Sequence, residues 1–296
     1  MVNLYSPAEL SALLKKHGIA PLKSLGQNFL IDQNIVEKIA EAAVEPGGNV
    51  LEVGPGPGAL TLQLAKRAGK VVAIEIDHGM LDVLQESLAG CDHVQVLHAD
   101  FLKVDLQEIC HTYFGGQAFS IAGNLPYYIT AKCILKVLES PVQAQRFTAM
   151  VQQEVAERLS AQPGDKNYGA ITASAAYYGG AEILFPVGRR CFMPAPEVDS
   201  AIVQFTPRTA VEAERQAYAK TVRGLFAMRR KTISNNLKAS FGIKASRRRE
   251  SCKAPAWKGR AGRRRFPQRN LPGWPMRPSP KNEVCPDMKE RRSSSV

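Results

Sequence analysis

The sequence predicts an α/β fold in which a doubly wound parallel sheet is followed by a small helical domain. After Gly48, short apolar runs typical of buried strands alternate with helix-like segments in four successive β-α-β steps. A glycine-rich turn directly follows the first run, and from about Pro207 the chain becomes helical and basic. Because parallel strands are joined by crossover helices that lie on the sheet, this alternation indicates helices on both faces.

Two helices precede the sheet. Ser6 and Pro7 are typical of a helix start, and the second helix should begin near Asp32. The predicted strands are residues 50–53, 71–76, 94–98, 119–122 and 146–151. The predicted helices are residues 59–67, 80–88, 104–113, 130–138, 170–178, 212–228 and 232–240. Two later apolar runs, 182–187 and 201–205, are separated only by a proline-rich loop, so we expect antiparallel pairing at the sheet edge.

Charge divides the chain into three predicted parts. Residues 1–206 carry 15 lysines and arginines against 21 acidic residues and contain the predicted α/β domain. Residues 207–243 carry 8 against 2, and we interpret them as a small basic helical domain. Residues 244–296 carry 16 against 4. A polyanionic partner is the natural inference, although an ordinary solvated surface explains such charge about as often.

The C-terminal segment 244–296 differs abruptly from the rest of the chain. It holds seven prolines and several arginine runs but few residues that build a core, which predicts a disordered tail. Such a change of composition is also what out-of-frame translation produces, and a genuine basic RNA-binding tail is the competing hypothesis. An uninterrupted reading frame shared by close relatives would exclude the frameshift.

Several classes of protein are disfavoured. The six cysteines form no Cys-x-x-Cys pair and the five histidines show no ligand spacing, so we predict neither a disulfide scaffold nor a metal site. The N-terminus lacks the apolar region of a signal peptide, and no apolar run reaches the length of a membrane span. We therefore expect a cytoplasmic protein without membrane contact.

A glycine-rich loop, Gly54-Pro55-Gly56-Pro57-Gly58, lies between a predicted strand and a predicted helix. Glycines let the backbone pass close to a ligand, and the helix start offers free N–H groups. Glu75 ends the next strand, where a carboxylate can accept hydrogen bonds from ribose hydroxyls, as suits NAD or S-adenosylmethionine. The stiff Gly-x-Gly-x-Gly spacing offers no obvious pyrophosphate cradle and so favours S-adenosylmethionine. Asp100, after the third strand, is a candidate for binding the adenine amino group of the cofactor. Capping of the following helix explains an aspartate at this position about equally well.

The segment Asn124-Leu125-Pro126-Tyr127 follows the fourth strand of the predicted sheet. An adenine amine is a poor nucleophile, because its lone pair is delocalised into the ring. The carboxamide oxygen of Asn124 and the carbonyl of Leu125 are two acceptors that could orient it, and Tyr127 offers a stacking face. Phe192, in the proline-rich loop, is a candidate for a second stacking face, with plain core packing equally weighted.

Together these residues resemble the ribosomal RNA adenine N6-dimethyltransferase family, most closely its bacterial small-subunit members. The resemblance spans residues 20 to 242 and also includes Leu25-Gly26-Gln27-Asn28-Phe29-Leu30, the loop from Phe192 to Ser200, and the basic segment from Leu225 to Thr232. It implies a class I, Rossmann-like methyltransferase domain over residues 1–206, which binds the cofactor and carries out catalysis, and a small helical C-terminal domain that docks RNA. That second domain, residues 207–243, looks incomplete, because family members continue after Ile243 with a further amphipathic helical segment. The implied cofactor contacts are Asn28, Leu30, Gly54, Gly56, Glu75, Asp100 and Asn124.

The implied reaction transfers four methyl groups to two adjacent adenosines near the 3′ end of small-subunit rRNA. The implied partner is an immature 30S particle, and we expect a monomer. Alternatives are a large-subunit rRNA adenine dimethyltransferase and a non-catalytic assembly or nucleic-acid-binding relative. An NAD oxidoreductase is the weakest alternative, because it gives the segment 124–127 no role.

Overall fold

A computed structural model describes residues 2–19, 27–142, 144–206, 212–228 and 230–242. The predicted tail 244–296 and the motif residues Leu25 and Gly26 lie outside the described residues. Within the described ranges, no helix is long and apolar enough to cross a membrane.

The core of the structure is a seven-stranded sheet in the order β4-β3-β2-β5-β6-β9-β7. Its strands are β2 (Asn49–Val53), β3 (Lys70–Glu75), β4 (Val94–His98), β5 (Phe119–Asn124), β6 (Phe147–Gln152), β7 (Glu182–Val187) and β9 (Ser200–Phe205). The first five strands in this order are parallel, and β9 pairs antiparallel with both β6 and β7. The predicted parallel sheet with an antiparallel edge is therefore confirmed, with strand ends displaced by one or two residues.

The helices of the sheet domain are α1 (Pro7–Lys16), α2 (Gln33–Ala43), α3 (Ala59–Arg67), α4 (His78–Ser87), α5 (Leu106–Phe114), α6 (Thr130–Glu139), α7 (Gln153–Ser160) and α8 (Ala170–Tyr178). They cover both faces of the sheet, because consecutive residues of β2 pack with different helices. Val50 packs with α2 and α3, whereas Leu51 and Val53 pack with α5 and α6. Burial on both sides explains why the strands read as continuous apolar runs. Helix α7 escaped prediction, because it follows β6 without an intervening loop.

A separate two-stranded ladder joins distant parts of the chain. Strand β1 (Phe29–Leu30) pairs antiparallel with β8 (Phe192–Met193), so that Phe29 lies opposite Met193 and Leu30 lies opposite Phe192. A short 3₁₀ turn at Arg189–Cys191 leads into β8. The ladder brings the segment before α2 to the carboxyl edge of the sheet, where the candidate site lies.

The described C-terminal part is a helical hairpin of α9 (Glu212–Phe226) and α10 (Ile233–Phe241). Helix α9 packs against the sheet domain through aromatic rings: Tyr218 stacks on Tyr177 with ring centroids 3.9 Å apart. Arg215 is buried, donates a hydrogen bond to the carbonyl of Ser140, and lies 5.8 Å from the ring centre of Tyr178. The hairpin and the sheet domain therefore share a packed interface, and a domain boundary at residue 206 stays a prediction.

Candidate active site

A cavity of about 260 Å³ opens at the carboxyl ends of β2, β3 and β5. The chain leaves β2 toward β3 on one side and returns to β5 on the other, so the strand order reverses at this point. In open α/β sheets such a reversal produces the crevice in which ligands bind. Apart from Phe192, every residue that the sequence predicts for the site lines this cavity: Asn28, Leu30, Gly54, Gly56, Glu75, Asp100, Asn124, Leu125, Pro126 and Tyr127.

The glycine-rich loop forms one wall of the cavity. Gly54, Gly56 and Gly58 all have positive φ angles, of 69°, 54° and 98°, which favour glycine strongly over other residues. A Cβ atom on Gly56 would also lie 3.2 Å from the Phe29 ring. The loop thus needs glycine both for its backbone conformation and for its close approach to β1.

The carboxylate of Glu75 ties this loop to the end of β3. One of its oxygens accepts from the backbone N–H groups of Ile76 and Asp77, each at 2.8 Å, and the other accepts from Gly56 N–H at 3.1 Å. Burial raises the pKa of Glu75, while these three hydrogen bonds oppose the rise. Since a carboxylate has about four acceptor positions, most of its capacity is already used within the protein.

Asp100 lies at the edge of the cavity and does not cap a helix, because Asp105 is the N-cap of α5. It lines the cavity, and its carboxylate also accepts from the backbone N–H of Leu102 at 2.9 Å. Lys103 lies 3.6 Å from the other carboxylate oxygen, although the lysine side chain is 84% exposed. Asp100 therefore stabilises its own turn at the rim of the cavity.

Asn124 ends β5 opposite the glycine loop. Its side-chain NH₂ donates to the backbone carbonyl of Asn28 at 2.9 Å, across 96 residues of sequence. Because the partner is an acceptor, the carboxamide must present NH₂ to Asn28 and keep its oxygen for another donor. In the described part of the chain, no hydrogen bond is made to the carbonyl oxygen of Leu125 either. Two consecutive residues that line the cavity therefore each keep an acceptor oxygen without a hydrogen bond among the described residues.

The turn after Leu125 is fixed by its own hydrogen bonds. The carbonyl of Pro126 accepts from Ile129 N–H at 3.1 Å and from the Thr130 hydroxyl at 3.0 Å. Tyr127 lines the cavity and is partly buried, and burial raises the pKa of its hydroxyl. Its ring is therefore available to a flat ligand while its polar end lies inside the protein.

The structure does not bring Phe192 into the cavity. Its side chain is 3% exposed and packs in the core with Leu30 and Val187, and it is not a lining residue. The expectation of a second stacking face is thus corrected to core packing in this structure. The cause is the β1–β8 ladder, which places Phe192 opposite Leu30.

Sequence reasoning missed Glu52, which lies beneath the glycine loop. It is 1% exposed, it lines the cavity, and one of its oxygens, Oε2, has no hydrogen-bond partner among the described residues. Burial, with the nearby charge of Glu75, raises the pKa of Glu52 to about 8. A carboxyl group in an otherwise apolar strand was the available signal. Ile76 and Tyr128, both more than half exposed, also line the cavity.

No metal centre accompanies these groups within the described ranges. No cluster of three or more His, Cys, Asp or Glu side chains there could hold an ion.

The sequence also matches a known protein family. A family model described as Ribosomal RNA adenine dimethylase matches residues 21–250. A "Ribosomal RNA small subunit methyltransferase A" from Shouchella clausii is 45% identical over 241 residues, which are 79% of this chain and 81% of that protein. A protein of the same name from Geobacillus thermodenitrificans is 44% identical over 79% of this chain and 82% of its own.

Two solved structures share the fold. A dimethyladenosine transferase from Plasmodium falciparum superposes with a TM-score of 0.61 and 27% identity, covering 76% of this chain and 80% of that one. The 23S rRNA methyltransferase ErmE superposes with a TM-score of 0.57 and 31% identity, covering 72% and 84%. These two similarities confirm the Rossmann-like methyltransferase fold.

Proposed function

The chain belongs to the ribosomal RNA adenine dimethylase family, and on that premise we propose that it methylates N6 of two adjacent adenosines near the 3′ end of small-subunit rRNA. The proposed methyl donor is S-adenosylmethionine, and the proposed substrate is rRNA within an immature 30S particle. Relatives named as small-subunit methyltransferases are 42–45% identical to this chain, whereas ErmE, which is named as a 23S rRNA methyltransferase, is 31% identical to it. This difference favours the small subunit over the large one.

The residues of the cavity fit the donor. S-adenosylmethionine carries N–H and O–H donors, and Glu52 offers a buried carboxyl oxygen that has no hydrogen-bond partner among the described residues. Gly54 and Gly56 line the cavity without side chains, and Glu75 and Asp100 supply carboxylates near the ends of β3 and β4. We infer that Asn28, Leu30, Gly54, Gly56, Glu75 and Asp100 hold the donor, which supplies an electrophilic methyl group when bound.

The observation that carries the proposal is the fixed orientation of Asn124. Since its NH₂ is used by Asn28, its oxygen can accept one N–H of an adenine amine, and the Leu125 carbonyl can accept the other. Two acceptors on those N–H groups would favour a tetrahedral nitrogen whose lone pair points out of the ring plane. They would stabilise the positive charge that moves from sulfur to nitrogen as the N–C bond forms and the S–C bond of the donor breaks, and so act on the transition state. The methylated nitrogen would then release one proton to water. Tyr127 stacks on the base and holds it in line.

Radiolabelled methyl transfer to undermethylated small subunits, followed by nucleoside mass spectrometry, tests the function. We expect N6-dimethyladenosine in small-subunit rRNA and none in large-subunit rRNA. Asn124→Ala should abolish the product and leave the affinity for S-adenosylmethionine within several-fold of wild type. Label in 23S rRNA alone would favour the large-subunit alternative, and an inactive wild type that still binds small subunits would favour a non-catalytic assembly role.

A further inference from the structure

A buried serine outside the cavity contacts the tyrosine on which the proposed base stacks. The hydroxyl of Tyr127 lies 2.8 Å from the Oγ atom of Ser200, 73 residues further along the chain. Ser200 is 0% exposed and does not line the cavity. Any effect of Ser200 on a bound base must therefore pass through the Tyr127 ring.

The backbone around Ser200 is held on several sides. Ser200 begins β9 and pairs with Gln152 of β6 and with Val187 of β7. The residue before it, Asp199, accepts from Arg189 N–H through its side chain at 2.9 Å and from Gln153 N–H through its carbonyl at 3.0 Å. The serine hydroxyl is thus attached to the sheet itself and not to a loose loop.

The two adjacent tyrosines of this turn differ in how they are held. Tyr127 is partly buried, and its hydroxyl reaches Ser200. Tyr128 is 58% exposed, and its hydroxyl makes no hydrogen bond within the described part of the chain. The turn backbone is already fixed at Pro126, so the contact with Ser200 restricts the remaining freedom of the Tyr127 side chain, which is rotation about its χ angles.

We propose that Ser200 is a positioning residue for methyl transfer, whose hydroxyl holds the Tyr127 ring in the plane on which the target adenine stacks. The role rests on the proposed function, because it matters only if a base enters the cavity. A base docked on a freely rotating ring would meet Asn124 in many orientations, and fewer of them would align the amine with the methyl group. Ser200 should therefore affect the methyl-transfer step and not the binding of donor or particle.

A double-mutant cycle on turnover tests the proposal. Ser200→Ala and Tyr127→Phe should each lower kcat on undermethylated small subunits about tenfold, the effect of losing one well-formed hydrogen bond. Because both remove the same contact, the double variant should lose no more than the larger single loss. Affinity for S-adenosylmethionine and KM for the particle should stay within about twofold of wild type. The matched control is Ser174→Ala, at another buried serine that does not line the cavity, and it should keep wild-type kcat.

Thermal melting gives a readout that does not depend on activity. Tyr127→Phe leaves the Ser200 hydroxyl buried without a partner, so its Tm should lie below that of the double variant, in which no hydroxyl remains. A double variant that melts no higher, a Ser200→Ala variant with wild-type kcat, or losses in kcat that multiply would each overturn the positioning role. If wild-type protein transfers no methyl group, the proposed function fails, and the melting cycle still decides whether the hydroxyl contact exists.

Discussion

The two walls of the cavity are held together in different ways. The donor wall, which comprises the glycine loop 54–58 and Glu75, is fixed by hydrogen bonds between neighbouring elements of one β-α-β unit. The acceptor wall, which comprises residues 124–127, has a locally hydrogen-bonded turn, but its Asn124 and Tyr127 side chains are held by partners 96 and 73 residues away. The donor wall is therefore a local structure, whereas the acceptor wall depends on the complete fold.

Because of this difference, substitutions in the two walls should have different effects. Changes in the donor wall should weaken the binding of S-adenosylmethionine and leave the chemistry of a saturated enzyme nearly intact. Changes in the acceptor wall should slow methyl transfer and leave donor binding nearly intact.

Among isosteric substitutions, the largest effect is expected from Asn124→Asp. The carboxylate cannot donate to the Asn28 carbonyl, 2.9 Å from the present NH₂ group, and the two oxygens repel each other. The side chain should turn away, and kcat should fall about 10²- to 10³-fold, as for other lost transition-state contacts. Isothermal calorimetry should show S-adenosylmethionine affinity within several-fold of wild type. A donor affinity that falls as far as kcat would remove the separation between the walls.

An intermediate effect is expected from Glu75→Gln in the donor wall. Both oxygens of Glu75 accept backbone N–H groups, so an amide must turn its NH₂ against at least one donor. We expect S-adenosylmethionine to bind about 10- to 100-fold more weakly, since hydrogen bonds to charged groups are among the stronger ones. At saturating donor, kcat should stay within a few-fold. A large loss of kcat under those conditions would mean that Glu75 also acts on the acceptor side.

The smallest effect on activity is expected from Glu52→Gln, whose main consequence is on stability. Burial raises the pKa of Glu52 from 4.5 to about 8, so the folded protein keeps its proton while the unfolded chain loses it. Stability from this group is therefore full below about pH 4.5 and declines as pH rises to about 8. Gln cannot ionise, so the Tm of the variant should rise relative to the Tm of wild type as the pH increases from 4.5 to about 8. A constant Tm difference would show that Glu52 does not titrate there.

The sequence predicts the donor wall more completely than the acceptor wall. Gly54 and Glu75 are recognisable because they lie 21 residues apart in one strand-helix-strand unit whose pattern is local. The position of Asn124 at a strand end is equally visible. Its orientation is not, because the carbonyl of Asn28 reaches it only through the folded chain.

Phe192 and helix α7 show where sequence reasoning stops. The burial of Phe192 depends on the two-residue strands β1 and β8, which are too short to leave a periodic signal. Helix α7 begins at Gln153, the residue directly after β6, so no turn residue separates the two patterns. In both cases tertiary packing decides the outcome, and local preference does not.

The most direct test of the acceptor wall is a crystal structure of the protein with S-adenosylhomocysteine and an adenosine nucleotide. We predict that the adenine N6 atom lies about 2.9 Å from both the Asn124 side-chain oxygen and the Leu125 carbonyl oxygen. The Asn124 NH₂ should keep its hydrogen bond to Asn28, and the base should lie flat against Tyr127. An adenine whose N6 is bound by other groups, or an Asn124 side chain turned out of the cavity, would contradict the proposed orientation of the amine.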